Sequence, residues 1–298
     1  MSKAIVFGGS GFLGSHVVDV LTKRGHEVKI FDLKPSAYIK PNQKMIIGDI
    51  LDAEKVRDAV NGCDYVYNFA GIADLDDASV KPLETAIQNI KGTVILLEAA
   101  QQNNIKRFIY ASTIYVYSNR GGFYRCSKQA AEVYIEEFQR KYNLPFTILR
   151  YGTLYGERAD SRNSVYRYVY QAIKEKTIKC TSTGEEMREY INVKDAAILS
   201  VDILDKKHEN KHVIISGHYP IKFMQLLDTI KEICNNGIKI ECSISKNSDH
   251  YNMTPYLFTP KIGYKLTSDC YSDMGQGLLE IFNEIYSRLE QDKIKTHD

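Results

Sequence analysis

Short apolar runs alternate with stretches of helical spacing through the first half of the chain. Ala4-Ile5-Val6-Phe7 is short, apolar and partly β-branched, which predicts a buried strand. From Phe12 onward, Leu13, Val17, Val18, Val20 and Leu21 recur at roughly helical spacing. The same alternation predicts further strands over 27–31, 45–47, 65–69, 108–111 and 146–150, with helices at about 53–61, 83–103 and 124–141. Strands alternating with helices imply an α/β fold whose parallel sheet is doubly wound through right-handed crossovers.

After Gly156 the alternation loosens. Helices are expected at about 164–176, from Asp195, at 222–235 and near 274–290, and strands at 189–193, 212–216 and 238–243, with a loop over 249–260. Residues 1–156 are therefore expected to form a Rossmann-type nucleotide-binding domain, to which strands at about 189–220 return. Residues 157–298 are expected to supply a smaller α/β substrate-binding C-terminal portion.

Composition narrows the function classes. The 298-residue chain is 44% hydrophobic and carries a net charge of +2. Lys and Arg are scattered among Asp and Glu, which argues against a nucleic-acid surface. No apolar run approaches the ~18–20 residues that span a bilayer. A strand beginning at Lys3 or Ala4 leaves no room for a signal peptide. The six cysteines are dispersed and include no CxxC pair. That pattern points to reduced thiols in a cytoplasmic protein, not to a disulfide framework or a zinc site, and no metal is expected.

Candidate chemistry lies where strands end. Gly8, Gly11 and Gly14 sit between the first strand and the first helix, where backbone N–H groups can approach a pyrophosphate. Asp32 ends the second strand and can hydrogen-bond the adenosine ribose hydroxyls while repelling a 2′-phosphate, which favours NAD over NADP. Asp49 after the third strand either meets the adenine edge or closes a loop. Phe69-Ala70-Gly71 ends the fourth strand with small residues that let a cofactor pass closely.

Tyr124 and Lys128 share one helical face at i and i+4. A lysine cation beside the phenol is expected to lower the tyrosine pKa from about 10, so that it can take a proton from a sugar hydroxyl while hydride leaves the same carbon for nicotinamide. With 21 tyrosines present, such a pair also arises by chance on a helix surface. Ser112 and Thr113 follow the fifth strand, where a hydroxyl either bonds the reacting oxygen or caps a turn.

In this order and position the chain resembles the extended short-chain dehydrogenase/reductase superfamily, in its NAD-dependent nucleotide-sugar epimerase/dehydratase branch. The resemblance rests on Gly8-Gly-Ser-Gly-Phe-Leu-Gly14, Gly48-Asp49, Asn89-Ile-Lys-Gly92-Thr93, Tyr124 with Lys128, Leu149-Arg-Tyr151 with Tyr155-Gly156, and the run from Arg188 to Asp195. It implies Tyr124 as acid/base, Lys128 as the group that lowers its pKa and holds the nicotinamide ribose, and Thr113 as the active-site hydroxyl. It implies cofactor contacts at Gly8, Ser10, Gly11, Phe12, Leu13, Gly14, Asp32, Asp49, Ile50, Phe69, Ala70, Gly71, Asn89, Tyr124, Lys128 and Tyr151. Asn89 would support helix geometry or a proton path near Lys128. Thr113, Thr153 and Arg188 would contact a nucleotide-diphosphate sugar, Arg188 at the diphosphate, although a surface arginine reads the same way.

The chain departs from this pattern in places. Dehydratases of the family place an acidic pair, and decarboxylases a glutamate, just after the active-site hydroxyl; here Ile114 and Tyr115 follow Thr113. The stretch between Ser118 and Tyr124 is shorter than in relatives, and Thr153 stands where many carry Asn. His250-Tyr251 and Thr254-Pro-Tyr256 either line a lid or pack as a loop. The expectation is an NAD-dependent 4-epimerase, with a 4-dehydrogenase or 4-ketoreductase as the alternative. A non-catalytic dinucleotide sensor or RNA-binding relative is the remoter one. The family's dimers pair two long helices; Val94, Leu97, Ala130, Val133 and Tyr134 suit either a homodimer face or the core.

Overall fold

The β-branched and aromatic runs come together as one parallel sheet, flanked by amphipathic helices. The computed structural model describes residues 1–243. In chain order the elements are β1 (Lys3–Phe7), α1 (Phe12–Lys23), β2 (Glu27–Asp32), β3 (Gln43–Ile47), α2 (Ala53–Val60), β4 (Tyr65–Asn68), α3 (Leu75–Val80) and α4 (Pro82–Ala86). A π-helical turn, Ile87–Lys91, leads directly into α5 (Gly92–Gln102). Then come β5 (Arg107–Thr113), a 3₁₀ turn (Ile114–Tyr117), α6 (Gly122–Tyr142), β6 (Phe146–Tyr151), β7 (Thr153–Tyr155), α7 (Ser164–Lys174) and β8 (Thr177–Thr181). The described chain finishes with β9 (Met187–Arg188), β10 (Tyr190–Asn192), α8 (Val193–Asp202), β11 (Lys211–Ile215), β12 (Ile221–Lys222), α9 (Phe223–Ile233) and β13 (Lys239–Ser243). The expected helix near 274–290 and loop over 249–260 lie outside the described residues.

The main sheet has the order β3-β2-β1-β4-β5-β6-β11, and all its pairings are parallel. It is a Rossmann-type α/β fold. Ile5, Phe7, Phe31, Val66, Phe108 and Tyr110 point to one face, where α2, α5 and α6 cover them. Ala4, Val6, Ile30, Tyr67, Ile109 and Leu149 point to the other, beneath α1 and α8. Both faces are therefore apolar, which is why the strands read as continuous hydrophobic runs. The strand order reverses between β1 and β4, and at such a switch point diverging loops leave a crevice at the carboxyl ends of the strands.

The helix expected over 83–103 is interrupted by its π turn at Ile87–Lys91, and that turn carries Asn89. Beyond β6, small two-stranded sheets pair β10 with β7, β12 with β9 and β13 with β8. A third apolar cluster, including Ala172, Ile178, Phe223 and Leu227, packs α7, β8 and α9 together. The expectation of uniformly reduced thiols is corrected here. Parallel pairing of β8 with β13 sets Cys180 opposite Cys242 with Cα atoms 4.6 Å apart, and the two form a disulfide. Such a spacing suits a bridge, and sequence spacing alone does not reveal it. Cys63, Cys126 and Cys234 are free thiols.

Candidate active site

The turn from β1 into α1 forms the floor of the crevice. Gly8 has φ +77°, and a Cβ there would lie 2.7 Å from the Ala70 backbone nitrogen. A Cβ on Gly14 would lie 2.2 Å from the Gly8 carbonyl oxygen. Both positions require glycine, because the turn folds onto its own backbone and onto the segment after β4. Gly11 is the N-cap of α1 and has no side chain to occupy the first N–H groups, which leaves them for an anion together with the positive end of the helix dipole. Ser10, Phe12 and Leu13 lie in the same turn.

Asp32 ends β2 beside this turn. Its carboxylate accepts Ser10 N at 3.0 Å and Lys34 N at 3.4 Å, which aims it across the turn. Asp49 accepts Leu51 N at 2.9 Å and so closes its own loop. Ile50 is buried against Gly92. Phe69, Ala70 and Gly71 follow β4, with the Phe69 ring stacked on Tyr67.

The hydroxyl cluster lies at the end of β5. Thr113 hydrogen-bonds the Tyr124 phenol and also accepts Tyr115 N at 3.3 Å. Lys128, one helical turn beyond Tyr124, is buried; its Nζ donates to the Ala111 carbonyl at 2.8 Å. The ammonium lies 4.8 Å from the Tyr110 ring centre and 5.7 Å from that of Tyr124. Ser112 faces elsewhere and donates to Glu132. Thr113, Tyr124 and Lys128 are thus brought together, and Ser112 is not part of their contact.

The expected downward pull on Tyr124 is corrected. Burial pushes its phenol up to about 12, and the Thr113 hydrogen bond offsets only part of that. Lys128 is itself pushed down to about 8 by burial, opposed by the Glu132 charge. The ammonium is held by a carbonyl of β5 and not by the phenol oxygen, so desolvation outweighs it.

Asn89 ties this cluster to the crevice wall. Its Oδ1 accepts Ile72 N at 2.8 Å, while Nδ2 donates to Ile72 O and to Ser127 Oγ, both at 2.9 Å. Ser127 in turn donates to the Tyr124 carbonyl at 2.7 Å. The π turn places the amide where a regular helix would displace it, a frequent use of such turns at sites.

Other expected residues lie apart from this cluster. The Tyr151 hydroxyl bonds Ser200 Oγ at 2.6 Å in the core beneath α8, and burial raises its pKa. Thr153 lies on β7, its N–H bonded to Glu189 O at 3.2 Å. Arg188 lies on β9, its guanidinium over the Phe223 ring at 5.7 Å. His250, Tyr251, Thr254 and Tyr256 fall outside the described residues. Sequence reasoning did not single out Glu132 or Ser127. The available signal was a carboxylate at i+8 from Tyr124, on the buried side of α6.

Together these features define a dinucleotide-dependent enzyme of the doubly wound parallel-sheet class. The backbone cradle at Gly8 and Gly14, the uncapped start of α1 and the Asp32 carboxylate fit NAD. A model of the NAD dependent epimerase/dehydratase family matches residues 4–216, and the chain belongs to that family. It is 26% identical over 276 residues to the dTDP-D-glucose 4,6-dehydratase of Dictyostelium discoideum, covering 80% of this chain and 63% of that protein's length. The UDP-glucose 4-epimerase of Thermotoga maritima, solved with UDP-glucose, aligns with a TM-score of 0.79 at 25% identity, over 86% of this chain and 90% of that one. The UDP-glucuronic acid 4-epimerase of Bacillus cereus, solved with UDP-glucuronic acid and NAD, shares the fold with a TM-score of 0.79 at 21% identity, over 88% and 95%. The protein is an NAD-dependent enzyme of the epimerase/dehydratase family.

Proposed function

We propose that the protein is a nucleotide-sugar 4-epimerase. The observation that carries this reading is the Thr113–Tyr124–Lys128 cluster at the end of β5 with no carboxylate following Thr113. Ile114, the next residue, is buried and has no group that moves a proton. Dehydration and decarboxylation need such a group at the neighbouring carbon, whereas oxidation and re-reduction at one carbon do not.

NAD supplies reversible hydride acceptance when bound. Tyr124 takes the proton of the sugar C4 hydroxyl and later returns it to the C4 oxygen. Thr113, bonded to the same phenol, holds that oxygen in line. Lys128 would hold the nicotinamide ribose of bound NAD and, once turned from the Ala111 carbonyl, would stabilise the phenolate. Between the two half-reactions the ketosugar presents its other face. Arg188 and Thr153, on strands beyond the main sheet, hold the diphosphate and sugar, and residues 157–298 serve mainly as the substrate-binding portion.

Purified protein offered UDP-, dTDP- and GDP-sugars should convert one of them to its C4 epimer without net NADH. Accumulated ketosugar or NADH would instead mark a dehydrogenase, and no turnover with any sugar would remove the reading. Tyr124→Phe should lower kcat by about 10²–10⁴-fold while leaving NAD affinity nearly unchanged, measured by turnover and NADH fluorescence titration.

A homodimer through α5 and α6 belongs to the same proposal. Val133 and Tyr134 stand 64% and 47% exposed on α6, as an apolar contact requires, whereas Leu97 of α5 is fully buried in the core. Val133→Glu should shift the sedimentation coefficient toward monomer.

A further inference from the structure

Behind the hydroxyl cluster lies a buried charged network that the proposed chemistry does not use. Glu132 stands one helical turn past Lys128 on α6 and two past Tyr124. Arg150 of β6 grips it as a fork, with Nε to Oε1 at 3.1 Å and Nη2 to Oε2 at 2.6 Å. Ser112 Oγ donates to the same Oε1 at 2.5 Å. The remaining arm of Arg150 donates to the Tyr117 hydroxyl at 2.5 Å, and the guanidinium lies 4.7 Å from the Tyr117 ring centre. The Glu132 and Arg150 side chains are only 8% and 15% exposed.

An ion pair of this depth is costly unless its geometry is well satisfied, and replacing it by packed apolar groups is often neutral or better for stability. Its position suggests a different use. The groups around the Lys128 ammonium are the Tyr110 ring and Ala111 carbonyl from β5, and the Tyr124 ring and Glu132 from α6. Arg150 from β6 and Tyr117 from the 3₁₀ turn stand behind the carboxylate. An unrestrained carboxylate at this spacing would close on the ammonium and draw it away from the site. The Arg150 fork and the Ser112 hydroxyl occupy both carboxylate oxygens, so Glu132 acts on Lys128 through its field, while Nζ remains on the Ala111 carbonyl.

We infer that Glu132, locked by Arg150 and Ser112, is a positioning residue that keeps Lys128 charged yet unpaired and available to Tyr124 and the cofactor. The lock also joins the three segments that carry the cluster, because Ser112 precedes Thr113 on β5, Tyr117 ends the turn after it, and Glu132 lies on the helix of Tyr124. The inference rests on the assignment of Tyr124 and Lys128 in the proposed function.

The test follows Lys128 directly. The 298-residue protein labelled with ¹³C at lysine Cε is titrated by NMR with NAD bound, the Lys128 resonance being the one missing from Lys128→Arg. In Glu132→Gln the titration midpoint should fall by about one pH unit, and Glu132→Asp, which keeps the charge, should restore most of it. Glu132→Gln combined with Arg150→Met, which leaves no orphaned guanidinium, should move it in the same direction by less. Above neutral pH, kcat of Glu132→Gln should decline at lower pH than wild type, with KM little changed. An unmoved Lys128 midpoint in the folded variants would overturn the inference. The titration needs no turnover, so a protein inactive on every sugar would overturn the proposed function and leave this result readable.

Discussion

Tyr124 and Lys128 are driven in opposite directions by the same burial, the phenol up to about 12 and the ammonium down to about 8. Each is thereby biased toward its neutral form. For Lys128 the folded value lies below the ordinary 10.5, so its contribution to stability is present above 10.5 and is lost as pH falls through about 8. For Tyr124 the folded value lies above 10, so its contribution is present below 10 and is lost as pH rises through about 12. Between pH 7.5 and 9.5 only the lysine changes state. Wild type should therefore gain about 2 kcal/mol relative to Lys128→Met over that interval, measured by urea unfolding at both pH values. A constant difference would show that Lys128 titrates near its ordinary value in the fold. Tyr124 and Lys128 were legible in the sequence because i,i+4 spacing fixes a shared helical face. Their proton affinities were not, because desolvation depends on what β5 places over them.

At the scale of elements, the join of β1 with α1 and the π turn before α5 shape the crevice. Gly14→Ala would force a methyl against the Gly8 carbonyl, 2.2 Å from the ideal Cβ position, and must displace the turn between β1 and α1. It should weaken NAD binding at least tenfold in a fluorescence titration and lower Tm. Asn89→Leu removes the amide that pairs both the N–H and the carbonyl of half-buried Ile72, and takes one of the two partners of Ser127 Oγ. It should cost about 1–3 kcal/mol in urea unfolding. The long strands and helices were legible from apolar periodicity. Short strands such as β9 (Met187–Arg188) were not, since two residues carry no period. The π turn was not legible either, because one extra residue per turn leaves the composition of a helix unchanged.

For the whole molecule, chain crossings place distant residues together. Cys180 and Cys242 are 62 positions apart and meet only because β8 and β13 pair in parallel register. Closing a loop of that length stabilises by roughly 4 kcal/mol in the chain-entropy account. Cys180→Ser with Cys242→Ser should therefore lower Tm, and dithiothreitol should lower wild-type Tm but leave the double variant unmoved. The sheet order also depends on return of the chain: β11 completes the sheet beside β6 after more than fifty residues of intervening structure. Among the described residues no helix is long and apolar enough to cross a membrane.

The amino-acid sequence by itself determined the α/β alternation, the glycine turn with its acidic partner Asp32, and the order of Thr113, Tyr124 and Lys128. Each of these is local, being set by hydrophobic period, glycine backbone freedom or helical spacing over a few residues. Tertiary structure alone decided that Glu132, Arg150, Ser112 and Tyr117 form one buried network, that Asn89 reaches Ser127, and that Tyr151 turns its hydroxyl to Ser200. Those contacts join residues on different elements, and their strength comes from a low-dielectric interior that exists only once the sheet and its helices have closed around them.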